Sequence, residues 1–304
     1  MPPSLPKAVD FIRSHGNRDG GWGYEAGRSS LVEPTGWCAM ALHANGDRPA
    51  ALRGLDFLKS CVKSSGAVGV DPGDPEGSWM AYAALMAFHA LGAADEERRL
   101  EDWILGFEDA SGRFTEEDRK AIAAVYRFDA SIRGWPWTAN TSGWVEPTAL
   151  FIIALSRAGV PATEKRIKSG VNLILDRKIP SGGWNFGNPY SKSYELEASA
   201  MSTALALAAL GAAGVPESRP AVGEGIRYLT RSLASDVSTA SLAWILLALK
   251  SYPAGASQAP TVAARLAGLQ AADGSFRRNL FETALASLVI DDAGALLRPT
   301  GRSR

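Results

Sequence analysis

Two glutamates, Glu33 and Glu146, stand in the same setting in one chain: "GWGYEAGRSSLVEPTGW" from Gly21 and "GWPWTANTSGWVEPTAL" from Gly134. A carboxyl set among aromatic residues, with no basic residue beside it in sequence, suits two kinds of chemistry. It can hold a proton and deliver it as a general acid, or it can stabilise a cation that forms nearby. The aromatic neighbours serve the same chemistry, because they exclude water and offer π-faces worth about 0.5–2 kcal/mol per good contact to a carbocation. Glu195 and Glu197, in "SKSYELEASAM", occupy a related place further along, although Met201-Ser202-Thr203 also fits the Glu-Pro-Thr pattern there. The catalytic candidates are therefore Glu33, Glu146, Glu195 and Glu197. A plainer role fits the first two as well. A glutamate in the first turn of a helix favours its N-terminus, the next-residue proline fits the start of a helix, and Ser30-x-x-Glu33 matches a capping box.

Around these acids the sequence is unusually rich in tryptophan, with nine in 304 residues, so the aromatics must be divided between packing and ligand contact. Trp37, Trp79, Trp144 and Trp244 lie on or beside apolar segments and are candidates to line a cavity, together with Trp137, Phe186 and Tyr190 in the connecting loops. Trp22, Trp135 and Trp184 each follow a glycine in a turn, which fits a wedge between helices. Arg133 and Lys192, in loops of the same kind, could meet an anionic group such as a diphosphate. Arg277 and Arg278 share that setting.

The elements that must position these residues are helices. Shifting the chain by 113 residues superposes Trp22 on Trp135, Tyr24 on Trp137 and Glu33-Pro34-Thr35 on Glu146-Pro147-Thr148, which is an internal repeat. Amphipathic patterns over Lys7–His15, Ala50–Cys61, Glu96–Phe107, Thr163–Lys178, Val222–Ala234 and Thr261–Gln270 predict half-exposed helices. Each is followed by a more uniformly apolar segment: Glu33–Asn45, Ser78–Leu91, Glu146–Ala158, Leu196–Leu210, Ser238–Lys250 and Leu280–Ile290. Segments apolar on all sides predict buried helices. Six exposed and six buried helices in alternation predict an all-α, α6/α6 toroid: a single domain over residues 1–304, with an insertion at about 108–134 and a short polar C-terminal tail. An open α-solenoid is the alternative. The insertion carries its own predicted helix at Thr115–Tyr126, and the outer-to-inner turns are read at "DGGWGY", "EGSW", "RGWPW", "SGGWNF" and "DGSF".

At these residues the chain resembles the terpenoid cyclase and protein prenyltransferase superfamily. "LAGLQAADGSF" (Leu266–Phe276) is similar to the glutamine–aromatic motif of the triterpene cyclases, and "GGWGYEAGRSSLVEPTGW" is similar in layout to the glycine–aromatic segment before the metal-binding helix of protein prenyltransferases. The resemblance implies an α/α toroid whose central cavity accepts an isoprenoid. It departs from the family at the chemistry. Where the cyclases carry an aspartate-rich segment, this chain has Leu31-Val32-Glu33-Pro34-Thr35, and where the prenyltransferases hold zinc with aspartate and cysteine it offers Glu33 and Thr35. Asp291-Asp292 lacks the rest of an aspartate-rich magnesium motif.

Composition bounds the remaining choices. Lysine and arginine equal aspartate and glutamate at 32 each, so nothing predicts nucleic acid or an anionic membrane as partner. The three histidines are scattered, Cys38 and Cys61 sit in apolar helical contexts as buried thiols, and neither a metal nor another cofactor is expected. No apolar run reaches the roughly 20 residues of a membrane span, and the start lacks the layout of a signal peptide, so a cytoplasmic protein is expected. The expected function is that of a terpenoid cyclase- or prenyltransferase-like protein acting on or binding a polyprenyl chain in an aromatic-lined cavity. Two alternatives stay open: a non-catalytic toroid that binds a lipid or docks a protein, and an (α/α)6 glycosidase or lyase.

Overall fold

The computed structural model describes the backbone of residues 5–297 and the side chains of residues 5–290. Among the described residues the chain is all-helical apart from one two-stranded hairpin, β1 (Tyr190–Ser191) with β2 (Tyr194–Glu195). Backbone contacts group it into two compact units: residues up to Gly106 with Pro260–Leu296, and Phe107–Ala259. The predicted polar tail and the Asp291-Asp292 side chains lie outside the described residues.

The first unit contains α1 (Leu5–Ser14), α2 (Val32–Ala44), α3 (Arg48–Ser60), α4 (Ala81–Leu91), α5 (Ala94–Gly106) and α14 (Leu280–Leu297). The second contains α6 (Glu116–Tyr126), α7 (Val145–Arg157), α8 (Lys165–Asp176), α9 (Ala200–Ala212), α10 (Pro220–Ser232), α11 (Thr239–Lys250) and the short α12 (Pro253–Ala256). Helix α13 (Ala259–Gly268) begins at the boundary. All twelve expected helices are present, and α6 starts from a complete Thr115–Asp118 capping box. The two predicted classes differ as their sequences require. In α8 only the face of Ile167, Gly170, Leu173 and Ile174 is buried, whereas α2 is buried without a break from Val32 to Leu42. Buried helices pack on one another within each unit, α2 on α4, and α9 on both α7 and α11.

One device joins the outer helix to its inner helix in four of the six pairs. The N–H of Trp22 donates to Thr35 Oγ1 at 2.9 Å, that of Trp135 to Thr148 Oγ1 at 2.8 Å, that of Trp184 to Thr203 Oγ1 at 2.9 Å, and that of Phe276 to Thr283 Oγ1 at 2.9 Å. The threonine thus satisfies a buried backbone donor in the turn while sitting in the first turn of the inner helix. The indole N–H groups of Trp22 and Trp184 donate back to Ile12 O and Ile174 O of the preceding outer helix, at 2.8 and 2.6 Å. The following outer helix makes room for the ring with a glycine. A Cβ at Gly54, Gly170 or Gly225 would come within 3.0, 2.8 or 2.7 Å of the Cζ3 of Trp22, Trp135 or Trp184. Alanine is ordinarily about 1 kcal/mol better than glycine inside a helix. Here the close approach reverses that preference, and Gly225→Ala is expected to destabilise the protein by about 1–3 kcal/mol in a urea melt. A stabilised variant would mean that the ring yields freely.

The turn read at "EGSW" is a correction. Lys63 N donates to Ala67 O as Asn17 N does to Gly21 O, and Ser78 N donates to Val68 O as Leu31 N does to Trp22 O. Val68 therefore holds the wedge position in that pair, and Trp79 lies beyond the turn, at the approach to α4. The Ser30–Glu33 capping box is also corrected: the N-cap of α2 is Leu31, without a side-chain bond, and Ser30 Oγ donates to Asp19. The first and last helical pairs meet in the first unit. Leu280 N donates to Tyr24 O at 2.7 Å, Lys7 Nζ to Ala272 O at 3.4 Å, and Cys38 Sγ to Leu280 O at 3.6 Å. An open solenoid would leave these ends apart.

Candidate functional site

Glu33 lies in the first turn of α2, only 6% exposed, and its carboxyl turns away from its own helix. Oε1 accepts the Tyr82 hydroxyl of α4 at 2.5 Å, and Oε2 accepts the hydroxyl of Tyr24. Trp37 Nε1, one helical turn further along α2, donates to Tyr82 Oη at 3.0 Å. Phe281, at the start of α14, stands edge-on to both Tyr24 and Trp37, with ring centres 6.0 and 6.1 Å away, and Trp79 stacks on Tyr82 at 6.2 Å. A carboxyl buried behind two phenols, at the edge of this aromatic cluster, loses its hydration. That loss raises its pKa, and the two phenol bonds oppose it only in part. The same burial, with the facing carboxyl, pushes both tyrosines up, so both remain protonated.

The second unit repeats the arrangement with different partners. Glu146, in the first turn of α7, is half-buried and accepts Ser202 Oγ of α9 at 2.7 Å, and Ser202 in turn contacts Ser199 Oγ at 2.8 Å. Burial raises its pKa against that one hydrogen bond. In both units the acid of one inner helix thus receives a hydroxyl from the first turn of the next inner helix. In the same unit, a groove of ≈ 590 Å³ that Glu146 does not line brings together Trp137, Trp144 and Phe186 with Thr141, Asn188 and Leu196. Phe186 is 58% exposed there, while Trp137 and Trp144 are half-buried.

The remaining expected residues lie elsewhere. Trp244 is buried inside α11 at 1% exposure. Glu195 and Glu197 do not belong to the fourth inner helix, which begins only at Ala200 because Ser199 caps it through Ser202 N. Thr203 locks Trp184, so Met201 occupies the register of Glu33 and Glu146. Glu195 instead sits exposed on β2 and accepts Ser181 N at 3.0 Å, and Glu197 is exposed. Lys192 is exposed at the hairpin tip with φ +57°, and the Tyr190 ring carries the Arg127 guanidinium at 4.1 Å. Arg133 is exposed and paired with Glu108 at 2.8 Å.

Sequence reasoning missed Tyr24 and Tyr82 as partners of Glu33. One signal was present. Four residues after the amide that closes each turn, three repeats carry Thr35, Thr148 and Thr203, and the α4 repeat carries Tyr82. Where the wedge is Val68, the threonine lock is given up, and the tyrosine reaches Glu33 instead.

Among the described residues no group of three His, Cys, Asp or Glu could hold a metal ion, and no helix is long and apolar enough to cross a membrane. Cys38 and Cys61 are free and buried. No family model matches the chain. It is 34% identical over 77 residues to squalene–hopene cyclase of Bradyrhizobium diazoefficiens, a match that covers 21% of this chain and 12% of that enzyme. Among solved structures it is similar to the type II terpene cyclase MstE from Scytonema, with a TM-score of 0.64 at 16% identity over 96% of this chain and 98% of the other. It is also similar to an inactive variant of the α-1,6-mannanase GH76A of Salegentibacter, with a TM-score of 0.62 at 10% identity over 97% and 98% of the two chains. The likeness runs through the sequence over one stretch and through the fold over nearly the whole chain, and that fold is an α/α toroid, shared by the terpene cyclase and the mannanase alike.

Proposed function

We propose that the protein takes up an isoprenoid chain and that Glu33 begins its cyclisation as a Brønsted acid. The observation that carries this reading is the buried Glu33 carboxyl, bonded by Tyr24 and Tyr82, whose own neighbours are the rings of Trp37, Trp79 and Phe281. Burial favours the protonated form, which a donor requires, and the two phenols stabilise the carboxylate once the proton has left. In the step itself an alkene π-pair forms a C–H bond with the acid proton. The O–H pair stays on Glu33, and the tertiary cation is held by aromatic faces until ring closure and loss of a proton to water. MstE variants have been seen with geranylgeranyl dihydroxybenzoate as substrate and merosterolic acid A as product, which supports an isoprenoid-bearing substrate for a chain of this fold. The test is to incubate the purified protein with linear C15, C20 and C30 polyprenyl compounds and to separate the products by gas chromatography–mass spectrometry. A product of unchanged mass and altered retention is expected. Hydrolysis of oligosaccharides, with the isoprenoids returned unchanged, would replace this reading with the glycosidase one.

A further inference from the structure

The two oxygens of Glu33 are not equivalent. Tyr82 has one hydroxyl proton, and its oxygen already accepts the Trp37 indole N–H, which can only donate. In this buried place the Tyr82 proton has Glu33 Oε1 as its acceptor, and accepting from Glu33 instead would leave that proton unsatisfied, so it points toward Oε1, where a second proton would face it head-on. A neutral Glu33 must carry its proton on Oε2. That oxygen faces Tyr24, whose hydroxyl can donate to a carboxylate or turn to accept from an acid. The tyrosines also differ in place. Tyr82 is 1% exposed in α4, whereas Tyr24 is half-buried on a turn whose next five residues, 25–29, are exposed.

From this asymmetry, and resting on Glu33 as the proton donor, we infer that Tyr24 is the relay through which Glu33 Oε2 exchanges its proton with solvent, while Tyr82 is a positioning residue that takes no part in the exchange. After the alkene has taken the Oε2 proton, a hydronium ion gives a proton to Tyr24 Oη as Tyr24 gives its own to Oε2. Water is released, Glu33 is neutral again, and Tyr24 is unchanged. The hydronium is the proton that the cyclised cation loses to water, so one turnover consumes none.

The experiment needs no substrate. Infrared difference spectra against Glu33→Gln isolate the C=O band of the protonated Glu33 carboxyl. Transfer to D2O at mildly acidic pH then times its exchange. Tyr24→Phe is expected to slow the exchange about 100-fold or more. Tyr24→Trp, which installs the residue that the second copy carries as Trp137, should do the same and guards against a fold defect peculiar to phenylalanine. Tyr82→Phe should shift the band, because Oε1 loses a donor, and should leave the exchange rate unchanged. Unaltered exchange in both Tyr24 variants, or equal slowing in Tyr82→Phe, overturns the relay. A second arm separates the relay from the reaction. With a linear polyprenyl substrate, Tyr24→Phe loses one donor to the Glu33 carboxylate and should slow the first turnover modestly, and it should slow the second and later turnovers at least about 10-fold more than the first. Slowed carboxyl exchange with no cyclised product from any variant would support the relay and sink the cyclase reading. Cyclised product with unaltered exchange would sink the relay alone.

Discussion

Glu33→Gln is expected to lose cyclisation by about 1,000-fold or more and, at neutral pH, to be more stable than the parent. Both effects come from one substitution because the site holds an ionisable group where the fold would favour a neutral one. Burial raises the Glu33 pKa above its ordinary 4.5, so the folded chain keeps this proton at pH values where the unfolded chain has released it. The stability that this proton contributes is fully present below the unfolded-state value and is lost as pH rises through the folded-state one. Glutamine does not titrate. Its carbonyl can accept Tyr82, and its NH2 can donate to Tyr24, so both phenols stay satisfied. The stability difference between variant and parent should therefore be small under acid and grow in favour of the variant as pH rises toward neutral. Urea melts across that range would show it. A difference that does not change with pH would mean that Glu33 titrates normally, and it would remove the physical ground for a proton donor.

The contrast between what was and was not legible follows the range of the interactions. The helix pairs were readable because apolar spacing is local, and the exposed and buried classes separate cleanly between α8 and α2. The wedge at "EGSW" was misread because Val68 replaces an aromatic, so the glycine–aromatic signal moved eleven residues on, to Trp79 of an unrelated Gly-Ser-Trp. The hairpin at Tyr190–Glu195 was missed because its two-residue loop, Lys192-Ser193, lacks the Asn-Gly or Asp-Gly chemistry that marks such turns, and Lys192 adopts a left-handed φ all the same. That miss moved Glu195 and Glu197 into the candidate set. Glu33 was singled out from its setting in the repeat. Its partner Tyr82 lies 49 residues away and reaches it only because α2 and α4 pack side by side, and no spacing rule encodes that.

The tryptophans of Gly134–Trp144 should divide into scaffold and surface, with the largest stability loss at Trp135. Its ring is fully buried, meets Phe151 at 5.8 Å between centres, sits over the space left by Gly170, and carries the Arg166 guanidinium at 4.0 Å. Arg166 donates to Phe107 O at 2.9 Å and to Gly134 O, while its Nε and Nη1 find no hydrogen-bond acceptor, and burial lowers its pKa to about 10. The indole face is what that buried cation has instead. Trp135→Ala removes the wedge and uncovers the guanidinium together, and should cost about 3–5 kcal/mol. Trp144 holds its place through its backbone, N to Trp135 O at 3.1 Å, which alanine keeps, and its half-buried ring lines the groove with Trp137 and Phe186. Trp144→Ala should therefore cost less than about 1.5 kcal/mol and chiefly weaken binding of a farnesyl-type lipid. Denaturant melts and lipid titrations of the two variants measure both quantities. Equal stability losses with unchanged lipid affinity would make the groove part of the scaffold and leave Glu33's surroundings as the place to look for the ligand.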